Sequence, residues 1–523
     1  MGPSVTKASL AIRGLVLACA LALLACGQSF TTAASTGDAG ERAIDAGAID
    51  ANTPIVVFPP PKGGIDAGPC DPTGEPKDTP CLVDETYAVF VSAGATNGTG
   101  TRAAPVGSID AGLSLAVREA DGGGPKIVIV CAGKYDETIT IDSTRDKERV
   151  FGGFQRTGSN WTYVGDAPSM PVLAPSAQGV PLTLTGLTGA LFADIEIDAQ
   201  SAPSTSPDAG SASGASSIGV VATGSTGIEF RRAKIAAGNG QPGADGVLVQ
   251  YTFPSATALL GNAADGGAGG LAKTVTCPDG QITTGGKGGD APNGNGNRGL
   301  PALATGAAGT SAQCVNQGQG GQAGSVGSPA PNGSGALTFG AFVANSWTPT
   351  GATSAQSGGP GQGGGGGGGG DMSAPGGGGG GGAGGCGGAG RGGGGGGGAS
   401  AAIAAINAQV ALTGVATACG RGGNGGGGVT GQPGQLQDGV GGFPSQLGGC
   451  QGGHGGTGGA GGAGGGGAGG ACAGVLYKGA SPILDTTTGS KFVPGSAGTK
   501  GKGGVPGVND GIDGPTGVQV LVQ

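Results

Sequence analysis

Histidine, aromatic rings and net positive charge are all scarce in this chain. One histidine, His454, occurs in 523 residues. That leaves almost no room for Ser-His-Asp or Cys-His catalysis, or for an imidazole-based metal site. Aromatic residues make up 4% and charged residues 11%, and the formal net charge is −8 with no basic patch. A nucleic-acid partner, which selects for clustered Lys and Arg, is therefore disfavoured. Beyond the first residues, no run is long and apolar enough to be a membrane helix. Glycine fills the gap, with 130 residues where usage near 7% is ordinary. Glycine supplies no side chain to a core and loses the most backbone entropy on ordering. Such tracts need backbone hydrogen bonding to be structured at all, and composition alone would equally allow disorder.

The start carries a targeting pattern. Lys7 and Arg13 precede an apolar run from position 14 to Cys26, of the length of a signal h-region and too short for a comfortable permanent span. It closes on Leu23-Leu24-Ala25-Cys26, which resembles the bacterial lipobox. The resemblance implies cleavage after Ala25 and a thioether lipid on Cys26, and Gly27 at the next position leans toward the outer membrane. Ordinary cleavage near Ala25 is the plainer alternative. Either way the mature chain leaves the cytoplasm, facing the periplasm or the cell exterior.

Of the 11 cysteines, Cys19 leaves with the signal and Cys26 takes the lipid. An oxidising envelope permits disulfides among the rest. Cys70 and Cys81 are close enough to bridge a short loop. Cys277 and Cys314 bracket one Gly-rich stretch, and Cys386, Cys419, Cys450 and Cys472 are spread through the others. Cys131, in an apolar strand, is the candidate left over. No pair has the Cys-x-x-Cys spacing of zinc knuckles, and connectivity cannot be read from spacing.

Composition divides the chain into a signal (1–25), a lipidated flexible tether (26–86), N-terminal strand repeats (87–260), a Gly-rich insertion (261–399), a short strand repeat (400–420), a second insertion (421–471), and a C-terminal repeat with a Gly-rich tail (472–523). Order begins with a strand at 87–92 and a polar loop. A helix over 108–120 follows, from apolar positions Ile109, Leu113, Ala116 and Val117. A buried strand at 126–131, a turn at 133–137 and an alternating strand at 138–142 complete the opening.

The order Val-Ser, Gly-Thr, Ala-Pro, Ser-Ile, then Ile-x-Val and Gly-x-Tyr-x-Glu-x-Ile-x-Ile, resembles the opening of the pectin-lyase-like right-handed parallel β-helix family. It is most similar to an uncharacterised envelope branch, over residues 87–161, with Phe151-Gly-Gly-Phe154 and Trp161 similar to its next rungs. The resemblance implies an all-β solenoid, in a family with many polysaccharide lyases and hydrolases and many members without demonstrated activity. The residues themselves support this. Laying 189–199 on 227–237 puts Phe192 on Phe230 and Ile197 on Ile235, the inward stack a solenoid needs. The same alignment sets Asp194 against Arg232 and Glu196 against Lys234. A further copy puts Leu412 on Phe230, and a weaker one runs through Ile483 and Phe492.

Each Gly-rich tract follows a repeat at a similar position, after Ala237, Cys419 and Pro494, which suggests long loops stacked at one corner. In 452–463 the non-Gly residue falls every third place, the polyproline-II period. These tracts resemble the repeats of mycobacterial glycine-rich surface proteins and, more loosely, the polyglycine bundles of some ice-binding proteins. Polyglycine-II loop insertions follow as an expectation.

The sharpest polar cluster is Asp194-x-Glu196-x-Asp198, which strand periodicity would put on one outward face. Such a face could hold calcium in a lyase or supply acid and nucleophile in a hydrolase, with Arg231 or Arg232 as a lyase base. The opposing Arg232 and Lys234 instead favour a solvated charge ladder. Glu137 belongs to the family's recurring turn and reads as structural. The leading expectation is a non-catalytic surface lipoprotein with a structural, adhesive or polysaccharide- or matrix-binding role, without cofactor or metal. A polysaccharide lyase or glycoside hydrolase, with calcium if a lyase, is the alternative, and ice or surface binding by polyglycine loops the second.

Overall fold

The computed structural model describes residues 70–118, 126–165, 167–208, 210, 212–309, 320–446 and 448–523. The signal, Cys26, the tether up to residue 69 and Cys314 lie outside the described residues. The fold is all-β with few helices, and most strands lie in three parallel sheets.

The first sheet holds β1 (Ala88–Val91), β2 (Ile127–Cys131), β5 (Arg149–Thr157), β9 (Ala190–Ala193), β12 (Ile228–Arg231), β19 (Val410–Thr413) and β22 (Ile483–Asp485), with β6 (Asn160–Tyr163) antiparallel to β5. The second holds β3 (Gly133–Tyr135), β7 (Pro171–Leu173), β10 (Glu196–Asp198), β13 (Lys234–Ala236), β20 (Ala416–Ala418) and β23 (Lys491–Val493). The third holds β4 (Ile139–Ile141), β8 (Leu182–Thr185), β11 (Ser217–Thr223), β18 (Ser400–Ile406), β21 (Cys472–Lys478) and β24 (Thr516–Leu521). Two hairpins stand apart: β14 (Lys273–Thr276) with β15 (Ile282–Gly285), and β16 (Gly340–Val343) with β17 (Ser346–Pro349). From β2 onward the chain visits the three sheets in rotation, the hairpins aside.

Register follows side-chain type. Phe192, Phe230 and Leu412 align across β9, β12 and β19, and the two phenyl rings stack at 5.3 Å. Leu173, Ile197 and Ile235 do the same across β7, β10 and β13. These residues join Leu184, Val220, Ile403 and Val475 of the third sheet in one apolar core. Like residues repeat at like positions because each strand buries the same face against its neighbours' equivalents. Helix α1 (Ile109–Arg118) adds Ile109, Leu113 and Ala116 to this core beside β1 and β2. The expected turn at 133–137 is instead mostly strand: Gly133, at φ +148°, bends the chain and residues 133–135 pair with β7.

Each Gly-rich excursion leaves after a strand of the second sheet and returns at a strand of the third. The departure points are tied. The Ser217 hydroxyl accepts from Gly238 N, the Ser400 hydroxyl accepts from Gly420 N, and Cys419 is bonded to Cys472. Two more bridges join Cys70 to Cys81 and Cys277 to Cys386, and Cys450 is also in a disulfide. Cys277 therefore closes onto Cys386 and not across the stretch it brackets with Cys314. Cys131 is a buried thiol within β2.

The Gly-rich excursions are ordered by their backbones. In the segment 358–370, the N–H groups of Gly361, Gly364 and Gly367 donate to Gly385, Gly382 and Gly379 at 2.8–2.9 Å. Gly359, Gln362 and Gly365 donate to Ser328, Ser325 and Gln322, while Gly363, Gly366 and Gly369 donate to Leu300, Asn297 and Gly294. The carbonyls of Gly364, Gly365 and Gly366 accept from Gly286, Gly453 and Gly309. Each third residue thus serves one neighbour, and the segment is bonded on every side.

Such spacing has no room for a side chain. A Cβ on Gly381 would stand 1.9 Å from the Gly364 carbonyl oxygen, whereas one on Gly427, in the same set of tracts, meets nothing closer than 3.5 Å. We expect Gly381→Ala to lower stability by about 1–3 kcal/mol. Gly427→Ala should change it by less than about 0.5 kcal/mol. Denaturant midpoints of the two variants beside the parent chain would check both.

Candidate functional site

The bend between β9 and β10 decides what the candidate carboxylates can do. Asp194 sits at that bend with φ +55°, and Arg232 occupies the equivalent bend after β12 with φ +48°. Asp194 therefore does not share a continuous strand face with Glu196 and Asp198, which lie on β10; the left-handed residue breaks the alternation. Asp194 is 2% exposed. Arg232 grips it with a fork, Nε to Oδ1 at 2.8 Å and Nη2 to Oδ2 at 2.9 Å. Burial pushes the Asp194 carboxyl up, and the Arg232 fork pulls against it. The Tyr163 hydroxyl is pushed up to about 12, by burial first and then by the Asp194 charge.

A segment assigned to the tether turns out to be part of this cluster. Residues 70–86 form a strap closed by the Cys70–Cys81 bridge, with Leu82 packed beside Phe90, Phe151 and Ala193 on the first sheet. Arg149 donates to the carbonyls of Pro72, Thr73 and Gly74. Glu75 reaches in from the strap and takes Arg231 Nη1 at 2.7 Å and Arg232 Nη2 at 2.6 Å. Arg231 also forks onto Glu229, both contacts at 2.7 Å. Burial alone would raise Glu75, but the two guanidinium groups outweigh it and hold the carboxyl below its usual range. The signal for this strap was present in the cysteine pair and in Leu82; its Asp-, Pro- and Thr-rich composition hid it.

On β10, Glu196 pairs with Lys234 of β13, as the register alignment requires. Asp198 keeps one buried carboxyl oxygen without a hydrogen-bond partner, and burial, then the Glu196 charge, raise it. The two arginines that could have served as a lyase base are both held by carboxylates. Glu137 accepts from Ile109 N at 2.7 Å and Asp110 N at 3.1 Å, capping the start of α1. His454 is exposed within a Gly tract. Among the described residues, no group of three His, Cys, Asp or Glu side chains is placed to hold a metal ion.

A second site was not anticipated. The β16–β17 hairpin folds onto the outer face of the third sheet and, with strands β8, β11 and β18, walls a groove of about 460 Å³. Phe342 and Trp347 form one side, with Asn345 and Ser346 at the hairpin tip. Ile218, Ala404 and Ile406 contribute apolar walls, and Gln178, Thr183 and Ser216 the polar positions. Trp347 is anchored among Phe339, Phe342 and the alanines of β18 and β21. The available signal was three aromatics between positions 339 and 347 in a chain with few of them.

Compared with known protein families, with curated proteins and with solved structures, the chain matches none.

One buried group outside both sites sets a pH dependence. Glu148, immediately before β5, is fully buried, and neither carboxyl oxygen has a hydrogen-bond partner. Burial pushes its pKa up to about 8, opposed by the Arg145 charge. Unfolded, the group releases its proton near 4.3, so between these values the folded chain holds more protons and its stability falls as pH rises. Glu148→Gln should remove that slope, raising stability at pH 8 by more than about 1 kcal/mol and giving no gain at pH 4. Unfolding curves of both proteins at the two pH values would decide it.

Proposed function

We propose that the mature protein is a lipid-anchored envelope protein without catalytic activity, serving as a rigid surface element that binds polysaccharide or matrix. Its lipid would sit on Cys26, in the outer membrane. Its three sheets would be the faces of a right-handed parallel β-helix of the pectin-lyase-like type. Beside it, the glycine segments would form a polyglycine-II bundle. The rotation of the chain through the sheets and the aligned inward stacks support the first point. Bonds to a different neighbour at each residue of the three-residue period support the second.

The observation that carries the non-catalytic reading is the fate of the acidic face. Asp194 is buried under a guanidinium fork, Glu196 is paired with Lys234, and the strap covers the neighbouring arginines. A lyase or hydrolase needs at least one such group open to substrate and poised for proton transfer. A rigid scaffold with an uncharged groove suits many weak contacts along a polymer.

The test incubates the secreted Cys26→Ser chain with neutral and acidic polysaccharides, with and without calcium, following unsaturated products, new reducing ends and retention. We expect retention without turnover. The Asp194→Ala, Glu196→Ala, Asp198→Ala triple variant should lose thermal stability while keeping polysaccharide retention. Turnover that disappears in that variant would make the protein an enzyme and overturn the reading.

A further inference from the structure

We propose that the groove under the β16–β17 hairpin is a subsite for one unit of a neutral saccharide chain, a conclusion that rests on the polysaccharide-binding reading above and narrows its ligand. Charge is the first discriminator. None of the residues lining the groove has an ionisable side chain, although Arg, Lys, Asp and Glu cluster densely on the first and second sheets. A uronate, a sulfate ester or a phosphate would lose its hydration here and find no counter-charge. A purely apolar ligand fits no better, because amide or hydroxyl groups come from Gln178, Thr183, Ser216, Asn345 and Ser346.

What remains is an uncharged molecule with apolar faces and a rim of hydroxyl groups, which describes a pyranose ring. Aromatic side chains with a polar edge suit such a partner, giving contact area and orientation together. Ser216 adds a specific observation: its oxygen already accepts from Ala399 N at 2.8 Å, so its own proton remains to be donated. The groove's size falls within the range of about 300–1,000 Å³ usual for small-molecule sites.

The site is also built rigidly. Its floor is three hydrogen-bonded parallel strands, β8, β11 and β18. Its wall is a hairpin whose turn residues Ala344 and Asn345 both have positive φ, at +45° and +64°. That turn geometry matches the twist of the paired strands. A pre-formed groove of this kind binds without the ordering cost that a flexible loop would add.

The chain has two tryptophans, Trp161 and Trp347, so Trp161→Phe leaves a single reporter in the groove wall. The Cys26→Ser, Trp161→Phe chain would be titrated with neutral oligosaccharides (gluco-, xylo-, manno- and chito-series) and with oligogalacturonate, following indole emission and heat. We expect a saturable change with at least one neutral series and binding about tenfold or more weaker for the acidic one. Phe342→Ala, Gln178→Ala and Asn345→Gly should each weaken the neutral ligand about fivefold or more. The Gln178 and Asn345 variants carry the test if Phe342→Ala perturbs the hairpin, and circular dichroism identifies that case. Polysaccharide retention that is indifferent to these substitutions and silent at Trp347 overturns the groove and leaves the polysaccharide reading standing. Preference for the acidic ligand overturns it as well. No retention of any polysaccharide removes the underlying reading, and the subsite with it.

Discussion

The backbone hydrogen bond between glycine segments is the interaction on which the rest of this molecule depends. Fixing a residue costs about 1–2 kcal/mol of backbone entropy, and glycine lies at the costly end. A typical intramolecular hydrogen bond returns only about 0.5–1.5 kcal/mol net. A lone glycine segment therefore stays disordered, and order must come from saturating each segment on all sides at once. The segment 358–370 does this, donating to three neighbouring segments and accepting from three others. The approach that allows it also forbids a side chain: at Gly366 a Cβ would meet the Lys287 carbonyl oxygen at 1.9 Å. Glycine content and fold are thus one requirement. The sheets and bridges lower the entropic cost further by fixing both ends of each excursion, as Cys419 and Cys472 do for 420–471.

How far this was legible in the sequence depended on whether the information lay in side chains. Phe192, Phe230 and Leu412 announced their own register because each buries an apolar group at the same place. The triplet phase in 452–463 could be read because other residues mark it. In 363–370 every residue is glycine, so neither phase nor partner is visible; the bonding there is set by which segments the folding chain brings together. Asp194 failed for a different reason. Strand alternation was carried through a residue whose φ of +55° ends it, and aspartate is among the few residues that visit that region with little penalty. The register partner, Arg232, was still identified, because pairing between neighbouring strands survives a bend that both share.

The electrostatics of the first sheet follow from that shared bend. Two left-handed corners, one acidic and one basic, put the buried Asp194 beneath a half-buried Arg232. A buried carboxylate next to a guanidinium needs every remaining donor met, and Glu75 meets part of this by bridging Arg231 and Arg232. The strap is thereby a component of the ion cluster. The Cys70–Cys81 bridge serves the same contact: it shortens the loop that must be ordered to bring one carboxylate onto two arginines.

Several of the glycine segments and the groove are products of the same excursion. Strand β18 is buried along its whole length, whereas a strand with one solvent face would alternate. Something must therefore cover the outer side of the third sheet. The chain between β13 and β18 supplies it: after building several of the glycine segments it returns as the β16–β17 hairpin and seats Phe342 and Trp347 over Ala404 and its neighbours. A flexible excursion of 163 residues (237–399) would set loop-closure entropy, which grows slowly with length, against the hairpin's return to the sheet. Ordered through its backbone bonds, and bridged between Cys277 and Cys386, it returns the hairpin to one place.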